Sequence, residues 1–235
     1  LVGHIRGGLA IVCVIASCFF AAISGSGPAT VAALGAIIIP AMVEQGYKDS
    51  DSSALMSVSG TIGLIIPPSI LFVVYGSITG ASVTKLFMGG IIPGLIMGLL
   101  LIITCFIKNR KTVLKTLPKA SWGERWAAFK DAFWGLMMPV IILGGIYGGF
   151  FTPTEAAAVS AVYGLLVGIF IYRSITLQVF KEIVMDSIKQ TASVMFITAC
   201  ASLFAWVITV KGYATAASNM LIAASGGNIF ILLII

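Results

Sequence analysis

Five residues, Ser24-Gly25-Ser26-Gly27-Pro28, interrupt an apolar stretch that carries no charged side chain from Gly7 to Val43. Residues 7–23 and 29–43 read as two short apolar helices facing each other across this polar, helix-breaking tip, a hairpin over 7–43. Each arm is about 15–17 residues long, short of the roughly 20 needed to cross a bilayer core. Irregular backbone facing lipid leaves N–H and C=O groups unpaired at several kcal/mol each. The tip therefore has two placements open to it: at a membrane surface, or buried in protein and lining a polar cavity. The second is how ion and substrate sites are built at membrane depth.

Composition supports a membrane setting. The chain is 59% hydrophobic and 9% charged, against about 25% charged in a soluble domain. Seven of the 14 Lys and Arg residues fall between Lys108 and Lys130, offset by Glu124 and Asp131 alone. Such a segment between apolar spans marks a cytoplasmic loop better than a nucleic-acid patch. Cys13, Cys18, Cys105 and Cys200 lie in apolar runs without a CxxC pair and read as small buried hydrophobes. The single histidine, His4, cannot build a metal site alone. No paired acids, Ser–His constellation or HExxH motif argues for an enzyme. The sequence opens without Met and stops within an apolar run, and reads as part of a longer subunit.

With 108–131 inside as a basic cytoplasmic loop, topology follows along the chain. Residues 86–107 form a transmembrane helix running inward, preceded by an outside turn near 76–85. Before it, 54–76 crosses outward, but Gly60, Gly63 and Pro67-Pro68 interrupt it. A proline inside a helix costs about 3 kcal/mol, and two in succession imply a broken helix. The polar segment 44–53 places the hairpin's end on the cytoplasmic side, with His4 and Arg6 at its other foot. Re-entry and a double crossing both fit; short arms and a broken tip favour re-entry. After the loop, 122–133 reads as an interfacial amphipathic helix with Trp122, Trp126, Phe129 and Phe133 at helical spacing. Residues 132–149 then go outward and 156–172 return. Residues 175–190 form an inside amphipathic connector with Lys181, Glu182, Asp186 and Lys189 on one face, and 191–210 cross again. Domain organisation is thus 1–107, the loop 108–131, and 132–235.

Candidate site residues concentrate at the tip and the break. Ser26 or Gly27 as N-cap and Pro28 at the first helical position leave free N–H groups and a positive dipole end at the site. The end of the first arm leaves free carbonyls near Ser24. Hydroxyl and carbonyl oxygens suit a hard cation such as Na⁺, and the helix start suits a carboxylate. The break adds Ser57, Ser59, Gly60, Thr61 and Gly63 before Pro67-Pro68-Ser69, and frees carbonyls near 63–66 that need partners. Small residues there also serve plain helix packing. Ser24, Ser26, Gly60 and Thr61 are the Na⁺ candidates; Gly25, Gly27, Gly63, Pro67, Pro68 and Ser69 complete the ion or substrate set. Thr152 and Glu155 form a further candidate, which a capping box around Pro153 explains equally simply.

These motifs in this order resemble the large membrane subunit of tripartite ATP-independent periplasmic (TRAP) transporters. The resemblance rests on LVGHIRGGLA leading into FFAAISGSGPATVAALGAIIIPAM, then the EQGY turn, SGTIGLIIPPSILFVVYG and GIYGGFFTPTEAAAVSAVYGLLVG. It covers almost the whole chain, weakest in the basic loop and the last thirty residues. It implies an all-α polytopic membrane protein of the ion-transporter superfamily, with inverted repeats that each hold a re-entrant hairpin and a broken helix. It further implies elevator-type movement and Na⁺-coupled symport of organic acids such as dicarboxylates or sialic acids across the bacterial inner membrane. The implied partners are a small membrane subunit and a periplasmic substrate-binding protein. The family's first hairpin and break map onto Ser24–Pro28 and Gly60–Ser69, and 132–235 onto the start of a second repeat. A stand-alone dicarboxylate or citrate carrier of the same superfamily, or a channel, are the rival readings.

Overall fold

The computed structural model describes residues 7–110, 120–226, 229 and 232, and among them every regular element is helical. Two compact units divide the chain after Ser174. In the first unit, α1 (Gly8–Ser24) and α2 (Gly27–Glu44) form the hairpin. Gly25, in the left-handed conformation at φ 61°, closes α1 by donating its N–H to Ala21 O. Ser26 caps α2, so Pro28 falls at the second helical position, one residue later than the pattern implies. A left-handed Gly46 turns the chain into α3 (Asp49–Thr61), whose first turn carries Asp49 and Asp51. Carboxylates suit that end of a helix.

Next comes the break. A 3-10 turn (Ile62–Leu64) follows α3, then irregular backbone with a cis Pro67–Pro68 bond, before α4 (Ile70–Thr79) resumes. The sequence expectation of a broken helix holds, with its inner half starting earlier, at Asp49. The transmembrane helix expected at 86–107 is α5 (Val83–Asn109). Core packing gathers α1, α2, α3, the 3-10 turn and α5 around Cys13, Val14, Ala21, Met42, Met56 and Ile62.

The second half departs from the expected boundaries. An interfacial helix at 122–133 and a separate span from 132 are one continuous helix, α6 (Trp122–Tyr147), opened by a Ser121–Glu124 capping box. The aromatic ladder therefore sits on the first turns of the spanning helix itself. Of the basic loop, 111–119 lies outside the described residues, while Lys108 belongs to the last turn of α5. α7 (Pro153–Leu166) returns along α6 and ends in a π turn (Val167–Ile171). Tyr163 and Tyr172 donate to the carbonyls of Trp134 and Asp131. A second core of Phe87, Ile142, Ile146 and Ala156 joins α5, α6 and α7.

In the second unit, α8 (Leu177–Val210) is 34 residues long and α9 (Tyr213–Ser225) follows the left-handed Gly212. The expected connector 175–190 and span 191–210 are thus a single helix. No Gly or Pro stands between Leu177 and Val210, so nothing stops it where polarity changes. Among the described residues five helices, α2, α5, α6, α7 with its π turn, and α8, are long and apolar enough to cross a membrane.

Candidate functional site

The hairpin tip is tied by its own hydroxyls. Ser24 Oγ accepts the Ser26 N–H at 3.2 Å and donates to Ser26 O at 3.1 Å. Ser26 Oγ accepts the Ala29 N–H at 3.4 Å, and Thr30 Oγ1 donates to Ser26 O at 2.8 Å. A hydroxyl has one proton and two lone pairs, so each serine keeps acceptor capacity beyond these bonds. Thr30, wholly buried, is a tip residue that the pattern did not single out.

Break and tip are in direct backbone contact. The Ile70 N–H at the start of α4 donates to Gly25 O at 3.2 Å, and Gly25 rests against the Pro68 carbonyl. A methyl group at Gly27 would lie 3.0 Å from Gly60 O. At Gly63 one would lie 3.2 Å from Thr30 Oγ1 and 3.3 Å from Ser26 O. Gly60 packs against Val31. Glycine keeps this approach close at Gly27 and Gly63, where a side chain would push the neighbour back by a few tenths of an ångström, and at Gly25 the positive φ requires it. Ser69, 1% exposed, donates to Leu64 O at 2.7 Å and so satisfies one carbonyl freed by the break. On the opposite side, α5 presents Gly90 to the Ile65 carbonyl and Phe72, Gly94 to Ile66, and Gly98 to Cys18 of α1. Sequence reading passed over these three glycines; their spacing of four, the small-xxx-small signature, was the available signal.

Six of the ten tip and break candidates thus meet directly, Gly25, Ser26 and Gly27 against Gly60, Gly63 and Pro68, while Ser24 is bonded to Ser26 within the tip and Ser69 to Leu64 within the break. Thr61 does not join them. It is exposed, and its hydroxyl donates to Val58 O of its own helix at 2.7 Å. Thr152 and Glu155 form a closed capping box: the Thr152 N–H and hydroxyl both donate to Glu155 Oε2 at 2.8 Å, and Thr152 Oγ1 accepts the Glu155 N–H. That geometry consumes the carboxylate as a cap. Among the described residues no cluster of three or more His, Cys, Asp or Glu could hold a metal ion. Any cation here would be held by hydroxyl and carbonyl oxygen.

Electrostatically, four helix ends meet. The C-termini of α1 and α3, the carbonyl ends of their helices, arrive beside the N-termini of α2 and α4, the N–H ends. Each end carries about half an elementary charge, so one locus offers partial negative charge to a cation and partial positive charge to a carboxylate. Far from the tip, Lys108 Nζ lies 2.8 Å from Asp51 Oδ1 and ties the end of α5 to the start of α3. Hydrogen bonding to Lys108 holds the Asp51 carboxyl below its ordinary range, aided by the charges of Lys108 and Lys48.

Fold and site together define an all-helical, polytopic membrane protein in which a helical hairpin docks on a broken helix. Its whole length, residues 1–235, matches the family model of the tripartite ATP-independent periplasmic transporter, DctM component, and the chain belongs to that family. It is 50% identical over 210 residues to the C4-dicarboxylate TRAP transporter large permease protein DctM of Pseudomonas aeruginosa, covering 89% of this chain and 49% of that protein. It is 43% identical to the isethionate TRAP transporter permease protein DctMQ of Oleidesulfovibrio alaskensis, covering all of this chain and 37% of the relative. The ectoine TRAP transporter large permease protein TeaC of Halomonas elongata is 43% identical, with 88% of this chain and 49% of the relative aligned. The chain spans about half the length of the curated relatives it matches, or less.

Proposed function

We propose that this chain is part of the permease subunit of a Na⁺-coupled symporter that imports a small organic acid, dicarboxylate or sialic-acid-like, across the bacterial inner membrane, with the first repeat in 1–107 and the start of the second in 132–235. The single observation that carries this reading is the docking of the hairpin tip on the helix break, which brings two carbonyl-ended and two N–H-ended helix termini to one place. Broken helices whose ends face one another are the means by which transporters place Na⁺ on carbonyls and a carboxylate on N–H groups. Ser24, Ser26 and the Gly60 carbonyl region are the Na⁺ ligands in this reading. At the start of α2 an anion would meet the Gly27 N–H and the positive end of the helix dipole, since Ser26 and Ala29 donate their N–H groups to Ser24 Oγ and Ser26 Oγ and Pro28 has none.

With the basic segment inside, both feet of the hairpin lie on the cytoplasmic side. The hairpin is then re-entrant and forms an inner gate that moves with the break in an elevator-type cycle. α1, at 17 residues and 1.5 Å per residue, falls short of the roughly 30 Å hydrocarbon core, which favours re-entry over a crossing. Na⁺ suffices energetically: each ion entering down 100 mV supplies about 2.3 kcal/mol, and a tenfold gradient adds about 1.4 kcal/mol. The named relatives differ in solute, and in this reading a periplasmic binding protein selects the solute and delivers it with help from a small membrane subunit.

The test is uptake by the full-length permease with its small subunit in proteoliposomes. Uptake is expected only with an inward Na⁺ gradient and a loaded binding protein. Uptake without the binding protein would show a stand-alone carrier instead, and unsaturable conductance would show a channel.

A further inference from the structure

Two hydroxyls beneath the tip have no assigned role. Ser17 of α1 and Ser59 of α3 are both 0% exposed, and neither Oγ has an oxygen or nitrogen hydrogen-bond partner among the described residues; the Cys13 thiol lies against Ser59. Buried hydroxyls are nearly always paired. Neighbouring helices show the usual solution, donation to the carbonyl one turn back: Thr30 to Ser26, Ser52 to Lys48, Ser57 to Ser53 and Thr104 to Leu100. Ser17 and Ser59 do not adopt it.

Their placement follows from the register of the two helices. α1 and α3 both run toward the tip–break contact. Cys13 Sγ lies 3.7 Å from Met56 Sδ, and Gly25 rests on Pro68. Both pairs are 43 residues apart in sequence, so the same offset sets Ser17 level with Gly60 and beside Ser59. Each serine also stands one turn above a member of the Cys13–Met56 pair, on the same helix face. The two orphan hydroxyls therefore occupy one level of the α1–α3 seam, about two turns below the tip.

We propose that Ser17 and Ser59 hold a buried water between α1 and α3, and that this water fixes the register by which Gly25 reaches Pro68. A buried water takes two to four polar partners; two hydroxyls supply both donor and acceptor, and the Cys13 thiol is the next polar group along α1. A desolvated cation is the poorer occupant, because two neutral oxygens among sulfur and alkyl groups leave its charge uncompensated. The site is separate from the tip and stands whichever ion the permease couples to.

The experiment is a double-mutant cycle on the purified full-length permease: Ser17→Ala, Ser59→Ala and the pair, with thermal unfolding followed in NaCl and in choline chloride. A bridging water predicts that each single change lowers the Tm by several degrees, that the pair lowers it little further, and that both salts give the same result. Additive changes that leave the Tm unchanged or raise it would mean that the hydroxyls are plain orphans, and a loss confined to NaCl would mean a cation; either overturns the proposal. Should an alanine variant fail to fold, a density map of the wild-type permease fine enough to show waters decides. Density between the two Oγ atoms is expected, and its absence overturns the proposal.

Discussion

α1 and α8 are both apolar helices in one chain, yet α1 buries eight of its 17 residues and α8 buries none of its 34. Apolarity alone does not separate them, since each reads as membrane-embedded. The difference lies in what stands opposite. α1 meets glycine-lined backbone: its Cys18 lies against Gly98 of α5, and its closing Gly25 against Pro68. α8 shows Met195, Phe196, Leu203, Phe204 and Trp206 largely exposed, a surface suited to lipid or to further protein. Without a hydrophobic drive between helices in lipid, close packing comes from small residues that let backbones approach. Within the first unit, close packing thus follows matched glycines, and hydropathy by itself marks only which helices suit a bilayer.

The comparison breaks most readily at those glycines. Gly25→Ala adds a left-handed strain of about 1–2 kcal/mol to a collision with the Pro68 carbonyl, so organic-acid uptake by the full-length permease is expected to fall at least tenfold. Gly90→Val drives a branched side chain into the Ile65 carbonyl and Phe72, whereas Gly89 faces open space within 4 Å. Thermal unfolding of the two variants should show a large loss for Gly90→Val and almost none for Gly89→Ala; equal losses would defeat the matched-glycine account.

Smaller effects sharpen the contrast. Met56→Ala empties a wholly buried position and should cost about 2–5 kcal/mol of stability. Leu203→Ala, on the exposed face of α8, should stay within about 0.5 kcal/mol, and denaturant unfolding compares the two. The smallest effect belongs to the exposed Asp51–Lys108 pair. Because Lys108 holds the Asp51 carboxyl below its ordinary value, its contribution is present above the ordinary carboxylate range. It is lost as pH falls through the lowered value. Asp51→Asn should therefore lower stability slightly at neutral pH, with the difference from wild type vanishing in acid, so that the acid limb of the stability–pH curve flattens.

How much of this was legible beforehand depended on the kind of signal. The hairpin and the break were readable because Gly25, Pro28 and Pro67-Pro68 stop helices for local steric reasons. That tip and break meet was readable from two consecutive breaks in apolar segments, each needing partners for freed backbone groups. Thr61 stands apart from the tip contact because a hydroxyl's direction depends on helix phase: Gly60 meets the hairpin, and Thr61, one residue on, is exposed. The merging of 122–133 into α6 and of 175–190 into α8 was hidden by amphipathic composition. Polarity changes along those segments, but backbone hydrogen bonding does not need to stop. Gly90, Gly94 and Gly98 were missed because their role appears only once Ile65 and Ile66 lie against them.

The central claim is that the Gly27–Gly60 and Gly63–Ser26 contacts form one coupling site. The most direct measurement is the Na⁺ concentration for half-maximal uptake by the full-length permease complex in proteoliposomes, wild type against Gly27→Ala and Gly63→Ala. Each added methyl would lie 3.0–3.3 Å from the facing backbone oxygen, enough to part tip and break by a few tenths of an ångström without unfolding them. A rise of fivefold or more in both variants, with normal assembly, is the expected result. An unchanged Na⁺ dependence in both would contradict it.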